Sequence, residues 1–269
     1  MCLYWRKLAW VVIGKVRIKM TNDEYLISIL KNYEVNIAGA KAAGNSIYPT
    51  IQKWGGNSLL SAEFSGSIAK GTAVSIGSDA DIFLSLTSSV NETLESIYDS
   101  LYITVTNAGY TAKKQNVSIG VIYNGYSIDL VPGRRISQYG NEHSLYVRKL
   151  KSWKKADVKK HTAYVQKSNR QAEIKLVKIW RQLHNLEFPS FFLEMTVIDA
   201  LGYARHEDLA NNFLKCLIFV KDKIRTVNYT DPANTNNCIS DLCTATEKTI
   251  IANQASKSLI QQSWKSVVW

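Results

Sequence analysis

No apolar run in this sequence reaches the roughly 18 residues that a membrane-spanning helix needs, so no transmembrane helix is expected. Cysteine is scarce and unevenly placed, at Cys2, Cys216, Cys238 and Cys243. With no secretory signal, these four are expected to be reduced thiols of a cytoplasmic protein rather than a disulfide framework. The dinucleotide fingerprint G-x-G-x-x-G is missing, and so is a Ser-centred nucleophile elbow. Gly66 to Thr72 reads G-x-x-x-x-G-T but lacks the lysine of a Walker A loop, which argues against a P-loop ATPase. His143, His161, His184 and His206 are scattered without metal-ligand spacing, and no histidine stands near Cys238 and Cys243, so no structural zinc is expected. There is no internal repeat and no low-complexity linker.

Acidic charge is also in short supply, with 22 Asp and Glu against 33 Lys and Arg, a formal net charge of +11. The excess is localised. Between Arg148 and Arg181 lie twelve basic residues, opposed only by Asp157 and Glu173, so this stretch holds +10 of the +11. Such a block suits phosphate-rich ligands, nucleoside triphosphates or nucleic acid. The composition is otherwise that of a globular chain, 46% hydrophobic and 20% charged. Its 269 residues can bury one large core or two smaller ones facing a cleft.

Residues 1–19 carry a short apolar patch with basic flanks, read as an extension, with Met20 as a possible natural start. Thr21 to Glu24 supply good helix-start residues, and helical spacing continues through Trp54 to a stop at Gly55-Gly56. Leu59 to Phe64 is expected as a strand, followed by the Gly66-Ser67 turn and a second strand from Ala80 to Leu86. Asn91 is expected to cap the next helix, closed by Gly109. The pair Asn124-Gly125 between two β-rich runs predicts a hairpin, its second arm ending at Pro132-Gly133. Beyond the basic block the pattern is helical: 170–185, 188–203, 207–225 and 245–264, with a loop at 231–234. The expectation is an α+β chain: a mixed-sheet lobe at 20–145, an all-helical lobe at 146–269, and the active site in the cleft between.

Asp79 and Asp81 stand two apart, hence on one face of a strand, where they repel each other unless a cation lies between them. Asp129 sits between Ile128 and Leu130 in the hairpin's apolar second arm, where a charge needs a reason. A third carboxylate joining the first two supplies one. Three carboxylates can hold two Mg²⁺ ions, one activating an attacking hydroxyl and one bridging a triphosphate. The Ser67 hydroxyl and turn amides can bind terminal phosphates.

The segments F-S-G-S-I-A-K-G-T, S-D-A-D-I-F-L and S-I-D-L-V-P together resemble the polymerase-β-like nucleotidyltransferases, whose signature is Gly-Ser, Asp-x-Asp and a distal Asp. Downstream, E-I-K-L-V-K-I-W, F-P-S-F-F-L-E-M and T-D-P-A-N-T-N-N resemble the helical half of the 2′-5′ oligoadenylate synthases and the bacterial CD-NTases, makers of cyclic oligonucleotide signals in antiphage defence. The resemblance implies that Gly66 and Ser67 contact the donor triphosphate and that Asp79, Asp81 and Asp129 bind Mg²⁺ or Mn²⁺, with Asp129 helping to deprotonate the acceptor. It further implies that Lys178 and Ser190 touch the triphosphate and that Phe191 stacks on a base. The zinc module of the animal DNA sensor in this group has no counterpart here.

The expectation is therefore a Mg²⁺-dependent nucleotidyltransferase using NTPs, ATP among them, to make a cyclic or linear oligonucleotide and release pyrophosphate. Two alternatives stay open: transfer of a nucleotide to tRNA, a protein or a small-molecule hydroxyl, and a non-catalytic RNA-binding module. The sequence leaves open the bases, the linkage, an RNA or protein activator and the oligomeric state.

Overall fold

The computed structural model describes residues 9–13, 16–77, 79–202, 204–206 and 208–269, with side chains from Met20 onward. Cys2, Ser78, Tyr203 and Glu207, named above, lie outside the described residues. The chain opens with a separate antiparallel hairpin, β1 (Ala9–Ile13) and β2 (Val16–Met20). Helix α1 (Asn22–Asn32) starts at a reciprocal cap. The Glu24 amide donates to the Thr21 hydroxyl at 3.2 Å, and the Thr21 amide donates to the Glu24 carboxylate at 2.7 Å. Helix α2 (Ile37–Gly55) follows, capped by Asn36 and stopped at Gly56, as the Gly-Gly signal predicts.

Then come β3 (Leu59–Phe64), the short helix α3 (Gly66–Lys70) and β4 (Ala80–Leu86), with both strands at their expected bounds. Helix α4 (Leu94–Asn107) is capped by Thr93, whose hydroxyl accepts from the Ser96 amide at 3.0 Å, and not by Asn91. Next are β5 (Thr111–Lys114), β6 (Ile119–Tyr123) and β7 (Tyr126–Arg135). Asn124 and Gly125 both take positive φ, +48° and +79°, as a tight hairpin turn requires. Strand β7 runs on past Pro132-Gly133 to Arg135, because a new strand, β8 (His143–Val147), pairs with Arg134 and Arg135. Strand β9 (Ser152–Ala156) pairs with β8 in turn, so part of the basic block extends the sheet, and helices begin only after Ala156.

The main sheet has the order β3-β4-β7-β6-β5, with β8 and β9 continuing from the end of β7. All neighbours are antiparallel except β4 and β7, which run parallel with Asp81 directly beside Asp129. Helices α2 and α4 cover one sheet face, burying Ile47, Ile51, Tyr98 and Leu101 against Ile82, Leu84, Ile128 and Leu130.

The remaining helices are α5 (Val158–Ser168), α6 (Gln171–Leu183), α7 (Ser190–Leu201), α8 (Leu209–Lys223) and α9 (Ala245–Leu259), with a small hairpin of β10 (Thr230–Asp231) and β11 (Asn234–Cys238) before α9. They pack around Trp180, Phe192, Phe213 and Leu217. Helix α1, although early in sequence, belongs to this second core through Tyr25, Leu26 and Ile29. It is also tied to the chain's far end, since the Tyr25 hydroxyl donates to the Val268 carbonyl at 2.8 Å. Helix α9 stops at Leu259 and not at Trp264. Among the described residues no helix is long and apolar enough to cross a membrane.

Candidate active site

Six of the seven residues of β4 are fully buried, and the exception is Asp81. The strand is clamped between β3 and β7, so its apolar side chains are buried while this one carboxylate lines a cleft. Parallel register sets Asp129 of β7 beside it. Asp129 is held from two sides: the Gln115 side-chain amide donates to Oδ1 at 2.9 Å and the Ser118 hydroxyl to Oδ2 at 3.2 Å.

The turn before α3 is fitted to Asp81. The Ser65 amide donates to the Asp81 carbonyl at 2.8 Å. Gly66 has φ +56°, and a Cβ there would lie 1.8 Å from Asp81 Oδ2. Only glycine permits both that backbone conformation and that approach. A second close approach holds the loop before β4: a Cβ on Gly77, at φ +92°, would lie 1.8 Å from Gln182 Nε2 on α6.

These carboxylates are electrostatically frustrated. Burial, then the charges of Asp129 and Asp79, push the Asp81 carboxyl up to about 6, against the pull of Lys70 and the Ser67 amide. Burial and Asp79 raise Asp129 as well, opposed by its bonds from Ser118 and Gln115. Asp79 stands in the loop just ahead of β4 and lines the same cleft as Asp81. Among the described residues no three His, Cys, Asp or Glu side chains are close enough to close on one ion. The donor set is hard carboxylate oxygen, which fits Mg²⁺ or Mn²⁺ and not a soft metal.

The cleft measures about 250 Å³ and is bounded by Gly66, Ser67, Lys70, Asp79 and Asp81 on one side and by Lys178, Arg181, Ser190 and Glu194 on the other. The helical wall carries a network that sequence alone does not reveal. Glu194, 1% exposed, accepts from Lys70 through Oε2 at 2.7 Å and from Lys178 through Oε1 at 2.7 Å. Thr72 closes the set, receiving a bond from Lys178 at 2.8 Å and donating to Glu194 at 3.2 Å. Burial alone would raise the Glu194 carboxyl, but the two ammonium groups outweigh it and hold it below the usual range. Burial draws Lys178 down against the opposing pull of Glu194.

No protein-family profile matches this sequence, and no curated protein matches it. Solved structures do. The Bradyrhizobium diazoefficiens CD-NTase CdnG in complex with GTP superposes with a TM-score of 0.73 at 14% identity, covering 91% of this chain and 94% of that one. The Elizabethkingia meningoseptica CdnE cyclic dinucleotide synthase, solved with GTP and Apcpp, gives 0.69 at 14% identity over 93% and 100%. CdnC of E. coli MS115-1 with ATP gives 0.68 at 19% identity over 87% and 88%. The chain has the CD-NTase fold.

Within this CD-NTase fold, Gly66, Ser67, Asp79, Asp81, Lys178 and Ser190 all line one cleft, with Asp129 adjoining Asp81 on the next strand. Lys178 is 2% exposed and already paired. Ser190, the first residue of α7, accepts from Arg181 Nη1 at 3.0 Å. Phe191 is outside the cleft lining. Its ring packs 4.4 Å from the His161 ring of α5, and Lys70 Nζ lies 4.7 Å from its centroid, so it serves the junction of α3, α5 and α7. Residues missed in the sequence are Lys70, Thr72, Glu194, Arg181, Gln115 and Ser118. Lys70 and Glu194 do fall inside the quoted segments, but nothing local pairs residues 124 positions apart.

Proposed function

We propose that this protein is a metal-dependent nucleotidyltransferase that joins NTP-derived nucleotides into a cyclic or linear oligonucleotide. The observation that carries this is the placement of Asp81 and Asp129 side by side on parallel strands, next to a Gly66-Ser67 turn built to approach Asp81.

Asp79, Asp81 and Asp129 would hold Mg²⁺ or Mn²⁺, which when bound supplies charge neutralisation at the triphosphate and lowers the pKa of the attacking hydroxyl. Asp129, fixed by Gln115 and Ser118, would take the proton from the acceptor hydroxyl. The Ser67 hydroxyl and the Lys70 ammonium face the cleft where the donor phosphates would lie, and Arg181 and Ser190 close its other side. The acceptor oxygen forms a bond to the donor's α-phosphorus as the bond to the β-phosphate bridging oxygen breaks, and pyrophosphate leaves. The resemblance of sequence segments and fold extends the reading to a signal made in the cytoplasm during antiphage defence.

Incubation with each α-³²P-labelled NTP, singly and mixed, with Mg²⁺ or Mn²⁺, tests it. A labelled, phosphatase-resistant product that disappears in Asp81→Asn is expected. Label appearing only on added tRNA or protein would redirect the reading to transfer onto those acceptors, and no transferred label in any mixture would overturn it.

A further inference from the structure

A larger cavity, of about 470 Å³, lies on another face of α3, between β3, β4 and α5. Its apolar wall is made by Phe83 from the sheet and by Val158 and Ala163 from α5, with Ser61, Thr162 and Gln166 beside them. Its polar end is made by Ser85, His143 and Arg135. Ser85 and His143 are 3% and 5% exposed and satisfy each other at 2.8 Å. The His143 ring is fixed by its other nitrogen, Nδ1, 2.7 Å from the Asn141 carbonyl. A carbonyl can only accept, so Nδ1 carries the proton; burial lowers the His143 pKa, and in the neutral ring Nε2 accepts from the Ser85 hydroxyl.

Arg135 is different. Its Nε is buried without a hydrogen-bond partner among the described residues. That atom is closed to the cavity, but the Arg135 guanidinium makes no side-chain hydrogen bond among the described residues, and its terminal nitrogens, which are not closed off, can donate to an anion in the cavity. The other charges around the cavity are Lys159 and Glu63, both exposed, so the site carries about one net positive charge. That balance fits a monoanion better than a phosphate dianion, and the volume and walls fit a flat apolar body of ligand size.

We propose that this cavity binds a small aromatic carboxylate, its carboxylate on Arg135 and its ring against Phe83 and α5. Ser65 and Ala69 line the cavity, and the Gln166 side chain donates to the Ala69 carbonyl at 2.7 Å. A ligand here therefore touches the turn whose other face carries Gly66, Ser67 and Lys70, and its occupancy tunes NTP binding in the cleft. This last step rests on the proposed function; the binding itself does not.

Titration calorimetry with biphenyl-4-carboxylate and its neutral counterpart biphenyl-4-methanol tests the site. The carboxylate should bind about tenfold or more tightly than the alcohol to the full chain. Arg135→Gln should erase that preference, and Lys159→Gln, at an exposed position, should weaken the carboxylate about threefold. Ala163→Trp, which fills the cavity from α5, should abolish binding of both probes while thermal unfolding stays cooperative. Equal binding of carboxylate and alcohol, no binding of either at millimolar concentration, or unchanged binding in Ala163→Trp overturns the site. In a separate arm, the Kd for ATP should shift about threefold when the carboxylate is saturating. An unchanged Kd overturns the coupling and leaves both the site and the transferase reading standing.

Discussion

The two walls of the cleft handle charge in opposite ways. On the sheet side, Asp81 and Asp129 are neighbours of like sign, with no cation in contact among the protein's own groups beyond the influence of Lys70. On the helical side, Glu194, Lys70, Lys178 and Thr72 satisfy one another almost completely. The first wall is strained by its own residues, and on the proposed function a bound cation would relieve it. The second is self-sufficient and holds α3 against α6 and α7. The proposed function falls where pairing is withheld, and cohesion where it is complete.

The sharpest break of this contrast comes from neutralising the strained wall. Asp81→Asn should lower the rate of nucleotide transfer about a thousandfold, the scale of losing several kcal/mol of transition-state charge stabilisation. The same change should raise ion-free stability at pH 7 by about 1–2 kcal/mol, because it removes a carboxylate that burial and its neighbours disfavour. Denaturant unfolding beside a radiolabel assay reads both, and a loss of stability would mean that Asp81 is not frustrated.

On the other wall the outcome should invert. Glu194→Gln should cost about 3–5 kcal/mol of stability, since it leaves two buried ammonium groups facing each other. Urea midpoints would show it, and a cost below about 1 kcal/mol would mean the network is not what holds the lobes.

A milder probe uses pH. Folded Asp81 has a carboxyl at about 6 against 3.8 unfolded, so the native state binds more protons between those values. The ion-free protein therefore loses stability as pH rises through that window, a loss complete above about 6. Added Mg²⁺ should offset it, raising Tm by about 2–6 °C at pH 7.5 and progressively less toward pH 5. Calorimetric scans at the two pH values check this, and a Mg²⁺ effect larger at pH 5 would refute the assignment.

The smallest effect is expected at Gln115→Ala, which frees one oxygen of Asp129. Transfer should slow about tenfold while stability changes by less than about 1 kcal/mol. Steady-state kinetics would detect it.

What the sequence discloses follows the range of the interactions. The Asp-x-Asp stretch, the Asn-Gly hairpin and the Gly66-Ser67 turn are local patterns, and their elements form as expected, except that Asp79 falls in the loop just ahead of β4 and the hairpin's second arm runs on to Arg135. Strand β9 is Ser-Trp-Lys-Lys-Ala, which reads as part of a basic block, because only its pairing with β8 makes it a strand. Thr93 and Asn91 are both competent caps, and the choice is made by which one meets the first free amides of α4. Helix α1 carries no mark that its apolar face is destined for the helical core. Phe191 shows the same limit: an aromatic at the start of α7 fits a base or a histidine equally well until α5 is in place.

The pairing of β4 with β7 has a consequence in time. The two strands are neighbours in the sheet, yet α4, β5 and β6 must be made between them. As the chain leaves the ribosome, Asp81 emerges well before its companion, and no chain that ends before β7 can bring the two together. On the proposed function, a nascent chain is chemically silent toward nucleotides until β7 is threaded into the middle of the sheet.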